Sequence, residues 1–141
     1  MKRSAQAVWS GGLREGKGAL LTGSGALSAT PFTLASLSDE TKGTSSGELL
    51  AAAHASCVTM ALAGLLTGAG LTPETIDTRA DVTLEKNDGG WMFTAVQLKI
   101  KARVPGADRE KFLCLAETAR KGCPVSRALN VPISLEAELE G

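Results

Sequence analysis

The sequence predicts an α+β fold in which antiparallel sheets wrap around a buried, cysteine-bearing helix. Three observations favour this class. The first forty or so residues form short apolar segments between glycine-rich turns, a long uncharged run follows, and the second half alternates apolar and polar residues. Strands, a helix, a hairpin, a second helix and a last strand are typical of α+β domains. The length suits one core, so we expect a single domain over residues 1–141.

The N-terminal region has the pattern of a β-meander. We predict four short strands over residues 5–9, 19–22, 26–28 and 32–36. Gly11-Gly12 and the Gly23-Ser24-Gly25 segment provide the turns between the first of them.

The uncharged run predicts one long central helix. Ser45 and Glu48 have the spacing of a capping box, residues 49–66 carry no charge, and the run ends near Gly68 and Gly70. About 18 such residues can approach the thickness of a bilayer. The small residues and the polar His54 favour a core helix instead. Because the helix is apolar nearly all round, we expect burial on most sides, with a second copy of the chain completing its cover.

The second half predicts a hairpin, a helix and a last strand. A strand over residues 76–84 leads into a turn at residues 87–90, and Asp108 can cap a helix that ends at Gly122. A final strand begins near Val131, with glutamates on its wet face. The expected inward residues of the returning strand are Met92, Thr94, Val96, Leu98, Ile100 and Val104.

Composition argues against several functional classes. The formal net charge is zero and the basic residues are dispersed, which disfavours nucleic-acid and membrane-surface binding. A single histidine and the absence of a C-x-x-C pair disfavour a metal site, and we expect no cofactor. No secretory signal is apparent, so the three cysteines are expected to be reduced thiols in the cytoplasm.

Sulfur chemistry is the remaining possibility. Cys57 lies within the apolar helix, where a cysteine is either a small inert hydrophobe or a thiol that needs a nearby donor; His54, three residues earlier, projects on nearly the same face. Cys123 lies between Gly122 and Pro124, at a predicted helix N-cap that favours a thiolate. Cys114 is interpreted as structural. An acidic cysteine and an apolar-lined one are what thiol-based peroxide reduction requires.

The cysteine segments resemble those of a known family. Residues 42–57 (KGTSSGELLAAAHASC) resemble the first cysteine motif of OsmC/Ohr peroxidases, and residues 122–126 (GCPVS) resemble the second. Residues 9–11, 16–18 and 76–82 resemble the OsmC branch in particular.

The resemblance implies a thiol-dependent peroxidase that reduces organic hydroperoxides. It implies that Cys57 attacks the hydroperoxide and that Cys123 resolves the product as a disulfide. It further implies an intertwined homodimer with sites at the interface, and recycling by a small dithiol such as a protein-bound lipoyl group. The first alternative is a non-peroxidatic relative of the same fold that binds an apolar ligand or senses oxidants. A more distant alternative is a dimeric structural domain in which the cysteines have no chemical role.

Two departures from the family pattern concern thiol activation. Family members usually carry a glutamate ten residues before the first cysteine, held by an arginine. Gly47 occupies that position here, and Glu48, one residue later, is turned half a circle from Cys57 on a helix. The arginine position of the OsmC branch is Leu37, so Arg14 in the first glycine-rich turn is the candidate cation. Glu48 is kept as a candidate catalytic residue beside Cys57, Cys123 and Arg14.

Overall fold

The computed structural model describes residues 1–140. The contacts between residues divide the chain into two compact units, Met1–Leu49 and the part that begins at Leu50. Each unit contains one three-stranded sheet. The single domain over residues 1–141 therefore stays a prediction.

The first unit is an antiparallel meander, as predicted. Strands β1 (Ala5–Ser10), β2 (Lys17–Thr22) and β3 (Thr30–Phe32) pair in that order. The strand predicted over residues 26–28 is wrong, because Leu27 donates its N–H to the Thr22 hydroxyl and accepts from the Thr22 N–H, closing a loop.

The strand predicted over residues 32–36 is also wrong beyond Phe32, the last residue of β3. The chain turns at Thr33, whose N–H donates to the Ser36 hydroxyl oxygen at 2.9 Å. A short 3-10 turn, Ala35–Leu37, follows. The Ser36 hydroxyl donates in turn to the Thr44 carbonyl at 2.7 Å. A side chain that hydrogen-bonds nearby backbone in this way replaces the pairing that a strand would need.

Helix α1 (Ser46–Gly68) confirms the predicted central helix. The Ser45 hydroxyl accepts from the Glu48 N–H at 3.2 Å, which is one half of the predicted capping box. The other half is wrong, because the Glu48 carboxylate accepts from the Thr44 hydroxyl at 2.8 Å instead of reaching back to Ser45. The helix start is thus fixed by one cap bond and one side-chain bond.

Only one stripe of α1 is buried within the chain. His54, Val58, Leu62 and Leu66 recur every fourth residue and are fully buried. On the other side, Met60 is 75% exposed. Within the single chain the helix is therefore buried along one side, and cover of the other sides by a second copy stays a prediction. The helix is long and apolar enough to cross a membrane by length and composition, a test that a core helix of a soluble protein also passes.

The sheet of the second unit is mixed, not wholly antiparallel. Strand β4 (Thr75–Asn87) pairs antiparallel with β5 (Gly90–Arg103), as the predicted hairpin requires. Strand β6 (Ile133–Glu140) pairs parallel with β5. The correction has a topological reason: two helices intervene between β5 and β6, and such a crossover returns the chain in the same direction.

A bulge explains why part of the predicted inward face of β5 is wrong. Thr83 pairs with Ala95 and Leu84 with Phe93, so Thr94 has no partner. One extra residue inverts the alternation before it, and Met92 is exposed rather than inward. Beyond the bulge the prediction is confirmed, and the buried residues of β5 and the following turn are Val96, Leu98, Ile100, Ala102 and Val104.

Helices α2 (Arg109–Gly122) and α3 (Pro124–Ala128) join β5 to β6. Asp108 caps α2, as predicted, by accepting from the Lys111 N–H at 3.0 Å. Phe112, Ala116 and Ala119 of α2 are buried. They form one cluster with the buried stripe of α1 and the inner face of β5, and this core sets the position of the cysteines described next.

Candidate active site

The second unit brings Cys57 and Cys123 together. Cys57 lies on α1 within its long uncharged run, and Cys123 lies at the junction of α2 and α3. The backbone N–H of Val125 lowers the pKa of both thiols, and each cysteine shifts the pKa of the other. Cys57 also packs against the apolar cluster that contains Cys123. Both cysteines are free thiols. Two thiols that shift each other's pKa are neighbours, although 66 positions separate them in sequence (123 minus 57).

Cys123 is the N-cap of α3, as predicted. Its residue is fully buried, and its Sγ accepts from the Ser126 N–H at 3.5 Å. Burial raises the pKa of this thiol, but the Ser126 N–H, the thiol of Cys57, the Ser126 side chain and the Val125 N–H together lower it below its ordinary value. Hydrogen bonds to the charged form therefore outweigh desolvation, and Cys123 is disposed to be a thiolate.

Cys57 has the opposite balance. Burial is the largest cause and raises the pKa of its thiol, and donating a hydrogen bond to Cys123 and the charge of that neighbour raise it further. The Val125 N–H is the one cause that lowers the pKa. Cys57 is only half-buried, however, so small molecules reach it more readily than Cys123. None of these causes is a lysine, arginine or histidine side chain.

His54 contributes a contact that the sequence did not reveal. Its ring is fully buried, and Nε2 lies 2.7 Å from the Ser126 Oγ. Burial lowers the pKa of His54 and so favours the neutral ring. The spacing of His54 and Cys57 on α1 was visible in the sequence, but Ser126 lies 72 residues away from the histidine. No periodicity signals a pairing across that distance.

The predicted activating residues belong to the first unit, Met1–Leu49. Arg14 is exposed in the turn between β1 and β2. Glu48 is held by the Thr44 hydroxyl. Leu37, at the arginine position of the OsmC branch, ends a 3-10 turn and is 41% exposed. The roles of Arg14 and Glu48 in activating Cys57 stay predictions.

Cys114 does not contribute to the core. It is exposed on α2, so the structural interpretation is not supported by burial. Residues 1–140 contain no group of three or more histidine, cysteine, aspartate or glutamate side chains arranged to hold a metal ion.

A groove of about 930 Å³ runs along the exposed face of α1. Neither Cys57 nor Cys123 lines it. Its walls combine small and apolar residues of α1 with the first residues of β4, among them Ala52, Ala55, Met60, Ala63 and Ile76. The groove is therefore a feature of the helix face opposite the buried stripe and is distinct from the paired cysteines.

Known proteins resemble this chain over nearly its full length. The OsmC-like protein family matches residues 38–138, which include both cysteines. The chain is 42% identical over 138 residues to peroxiredoxin OsmC of Escherichia coli strain K12, covering 98% of this chain and 96% of that protein. A peroxiredoxin OsmC of Shigella flexneri matches to the same extent.

Solved structures share the fold. The organic hydroperoxide resistance protein OhrB of Bacillus subtilis superposes with a TM-score of 0.69 at 26% identity, over 97% of this chain and 98% of that one. An OsmC-like protein of Vibrio cholerae superposes with a TM-score of 0.78 at 17% identity, over 97% and 99% of the two chains. The matched segment, the identity to peroxiredoxin OsmC and the shared fold lead to one conclusion: the chain belongs to the OsmC-like family.

Proposed function

We propose that this protein is a thiol-dependent peroxidase that reduces organic hydroperoxides with Cys57 and Cys123. The observation that carries the proposal is the pair of free thiols that lie against one apolar cluster and shift each other's pKa. A relative 42% identical is named a peroxiredoxin, and a structural relative is named an organic hydroperoxide resistance protein. Those names and the paired thiols support the same chemistry.

The thiolate of Cys57 attacks the outer oxygen of the hydroperoxide. The O–O bond breaks, a sulfenic acid forms on Cys57, and the released alkoxide takes a proton to become an alcohol. Cys123, as a thiolate, then attacks the sulfenic sulfur, forming the Cys57–Cys123 disulfide and releasing hydroxide, which is protonated to water. Sulfur loses two electrons and the peroxide gains them.

Access and acidity divide these roles between the cysteines. Cys57 is half-buried and within reach of a substrate, whereas Cys123 is fully buried. The lowered pKa of Cys123 suits a resolving thiol that must attack before the sulfenic acid is oxidised further. The apolar cluster around both sulfurs favours organic hydroperoxides over hydrogen peroxide.

Activation of Cys57 requires a group beyond those of the second unit, because burial raises the pKa of its thiol. Arg14, paired with Glu48, is the proposed activator, in place of the arginine and glutamate that Leu37 and Gly47 replace. A guanidinium beside a thiol lowers the thiol pKa by stabilising the thiolate. Replacing Arg14 with alanine should slow the attack on hydroperoxide, and Arg14→Lys should restore part of the rate.

We further propose a homodimer and a dithiol reductant. The exposed apolar face of α1, including Met60, and the groove beside it support a second copy of the chain as cover. A dithiol of the lipoyl type suits a disulfide in apolar surroundings, because both of its sulfurs stand on a short hydrocarbon chain. Cytoplasmic location stays an expectation.

The decisive experiment follows hydroperoxide consumption with a dithiol in excess. We expect cumene hydroperoxide to be consumed much faster than hydrogen peroxide, and mass spectrometry of the non-reduced protein to find a Cys57–Cys123 disulfide after one turnover. If the disulfide forms without catalytic turnover, the protein senses oxidants; if neither appears, the non-peroxidatic interpretation replaces this one.

A further inference from the structure

The buried histidine of α1 is energetically unfavourable at its position. His54 is fully buried, and its Nδ1 has no hydrogen-bond partner among residues 1–140. The next residues of the same stripe, Val58 and Leu62, are aliphatic. A buried polar atom without a partner costs free energy that an aliphatic side chain would avoid. The one bond that His54 makes therefore needs a reason.

That bond leads to Cys123. His54 Nε2 lies 2.7 Å from the Ser126 Oγ, and Ser126 contacts Cys123 through both its backbone N–H and its side chain. The Ser126 side chain also lowers the pKa of Cys123, as a hydroxyl that donates to the sulfur does. A hydroxyl has one proton, so the oxygen must accept from His54.

This order fixes the tautomer of His54. Nε2 carries the proton and donates to Ser126, and Nδ1 is left as an unpaired acceptor. The opposite tautomer would leave a buried N–H without a partner, which is the rarer and costlier case in proteins. Burial lowers the pKa of His54, which favours a neutral ring with a single proton.

We propose that His54 and Ser126 are positioning residues for Cys123, forming a one-way chain of hydrogen bonds from the imidazole through the hydroxyl to the sulfur. The proposal rests on the proposed peroxidase function and adds a role for two residues outside the cysteine pair. His54 acts through Ser126 and touches neither substrate nor sulfur. The chain orients the hydroxyl and favours negative charge on Cys123.

This chain of hydrogen bonds affects the recycling of the disulfide. A thiolate of the dithiol attacks the sulfur of Cys57, the half-buried member of the pair. The Cys57–Cys123 bond breaks, its electron pair leaves on Cys123, and the Ser126 hydroxyl and N–H stabilise the new thiolate. The second thiol of the reductant, after losing its proton to solvent, then attacks the mixed disulfide. Cys57 leaves as a thiolate and the dithiol ends as a disulfide.

The test is a thiol titration that needs no peroxide. In a protein carrying Cys57→Ser and Cys114→Ser, Cys123 is the sole thiol, and its thiolate is followed by ultraviolet absorbance against pH. We expect Ser126→Ala and His54→Leu each to raise the midpoint, so that the thiolate fraction near neutral pH falls about tenfold for Ser126→Ala. His54→Gln, whose amide nitrogen can still donate to Ser126, should keep most of the original value.

The double variant provides the sharpest result. Because His54 acts through Ser126, His54→Leu should add nothing to the effect of Ser126→Ala. Additive effects of the two substitutions, or an unchanged titration midpoint in Ser126→Ala, would contradict the proposed chain of hydrogen bonds. Should His54→Leu fail to fold, judged by circular dichroism, Ser126→Ala and His54→Gln decide the matter, since the former removes one oxygen only. A shifted titration midpoint in a protein without peroxidase activity would refute the proposed function but support the chain of hydrogen bonds.

Discussion

Cys57 and Cys123 occupy one site but opposite electrostatic environments. Cys123, the more buried residue, has the lowered pKa, whereas the half-buried Cys57 has the raised one. Burial alone predicts the reverse order. The difference lies in the backbone: Cys123 caps a short helix and meets the N–H groups of its first turn, while Cys57 lies inside a helix whose own N–H groups are already bonded. Thiol acidity here is decided by available donors.

The largest expected effect separates the two cysteines by role. Cys57→Ser should reduce hydroperoxide turnover to about a thousandth or less, because no nucleophile remains to attack the O–O bond. Cys123→Ser should still reduce one equivalent of hydroperoxide and then accumulate a sulfenic acid, which a dimedone adduct in mass spectrometry detects. Equal loss of the first equivalent in both variants would contradict the assignment of Cys57 as the attacking thiol.

The second effect concerns the core that holds the two thiols in contact. Leu62 is fully buried one turn beyond Val58, so Leu62→Ala should lower the free energy of unfolding by about 2–5 kcal/mol. Met60, 75% exposed on the opposite face, is the matched control within the same helix. Met60→Ala should change the free energy of unfolding of the isolated chain by about 0.5 kcal/mol or less.

Sedimentation distinguishes the two faces further. If a second copy covers the exposed face, Met60→Ala should weaken self-association, while Leu62→Ala should act on the folding of each chain. Identical effects of the two substitutions on denaturant unfolding would show that α1 has no distinct buried and exposed faces.

The third effect is the pH dependence of stability in single-thiol proteins. The pKa of Cys123 is lowered on folding from an ordinary value of 9.0, so its contribution is present above that value and is lost as pH falls through the folded pKa. The pKa of Cys57 is raised, so its contribution is present below 9.0 and is lost as pH rises through the folded pKa.

Urea unfolding measures this difference. In a Cys114→Ser background, raising the pH from neutral toward 9.0 should stabilise the protein that keeps only Cys123, relative to one with no cysteine. Raising it past 9.0 should destabilise the protein that keeps only Cys57. If the free energy of unfolding changed with pH in the same direction in both proteins, hydrogen-bond donors would not distinguish the two thiols.

The smallest expected effect is that of the third cysteine. Cys114 is exposed on α2 and outside the pair. Cys114→Ser should therefore change the free energy of unfolding by about 0.5 kcal/mol or less and leave hydroperoxide turnover at the starting value. A marked drop in turnover would place a further thiol in the electron path.

Local patterns in the sequence were sufficient for much of the fold. The uncharged run predicted α1, the Asn87–Gly90 segment predicted the β4–β5 hairpin, and Asp108 and the Gly122-Cys123-Pro124 segment predicted the helix ends around Cys123. Each depends on residues within a few positions of one another, where periodicity and capping act. The bulge at Thr94 and the parallel pairing of β6 depend on partners that no local pattern identifies.

The sequence by itself determined which atoms are the candidates for reaction: the sulfurs of two cysteines in motifs of one family, with one cysteine at a helix N-cap. The predicted N-cap already favoured Cys123 as the more acidic cysteine, whereas only the tertiary structure decided that Val125 acts on both thiols and that His54 reaches Ser126. The physical reason is that pKa values depend on burial and donors contributed by distant segments, here α1 against the α2–α3 junction. Those contacts exist only once the chain has folded.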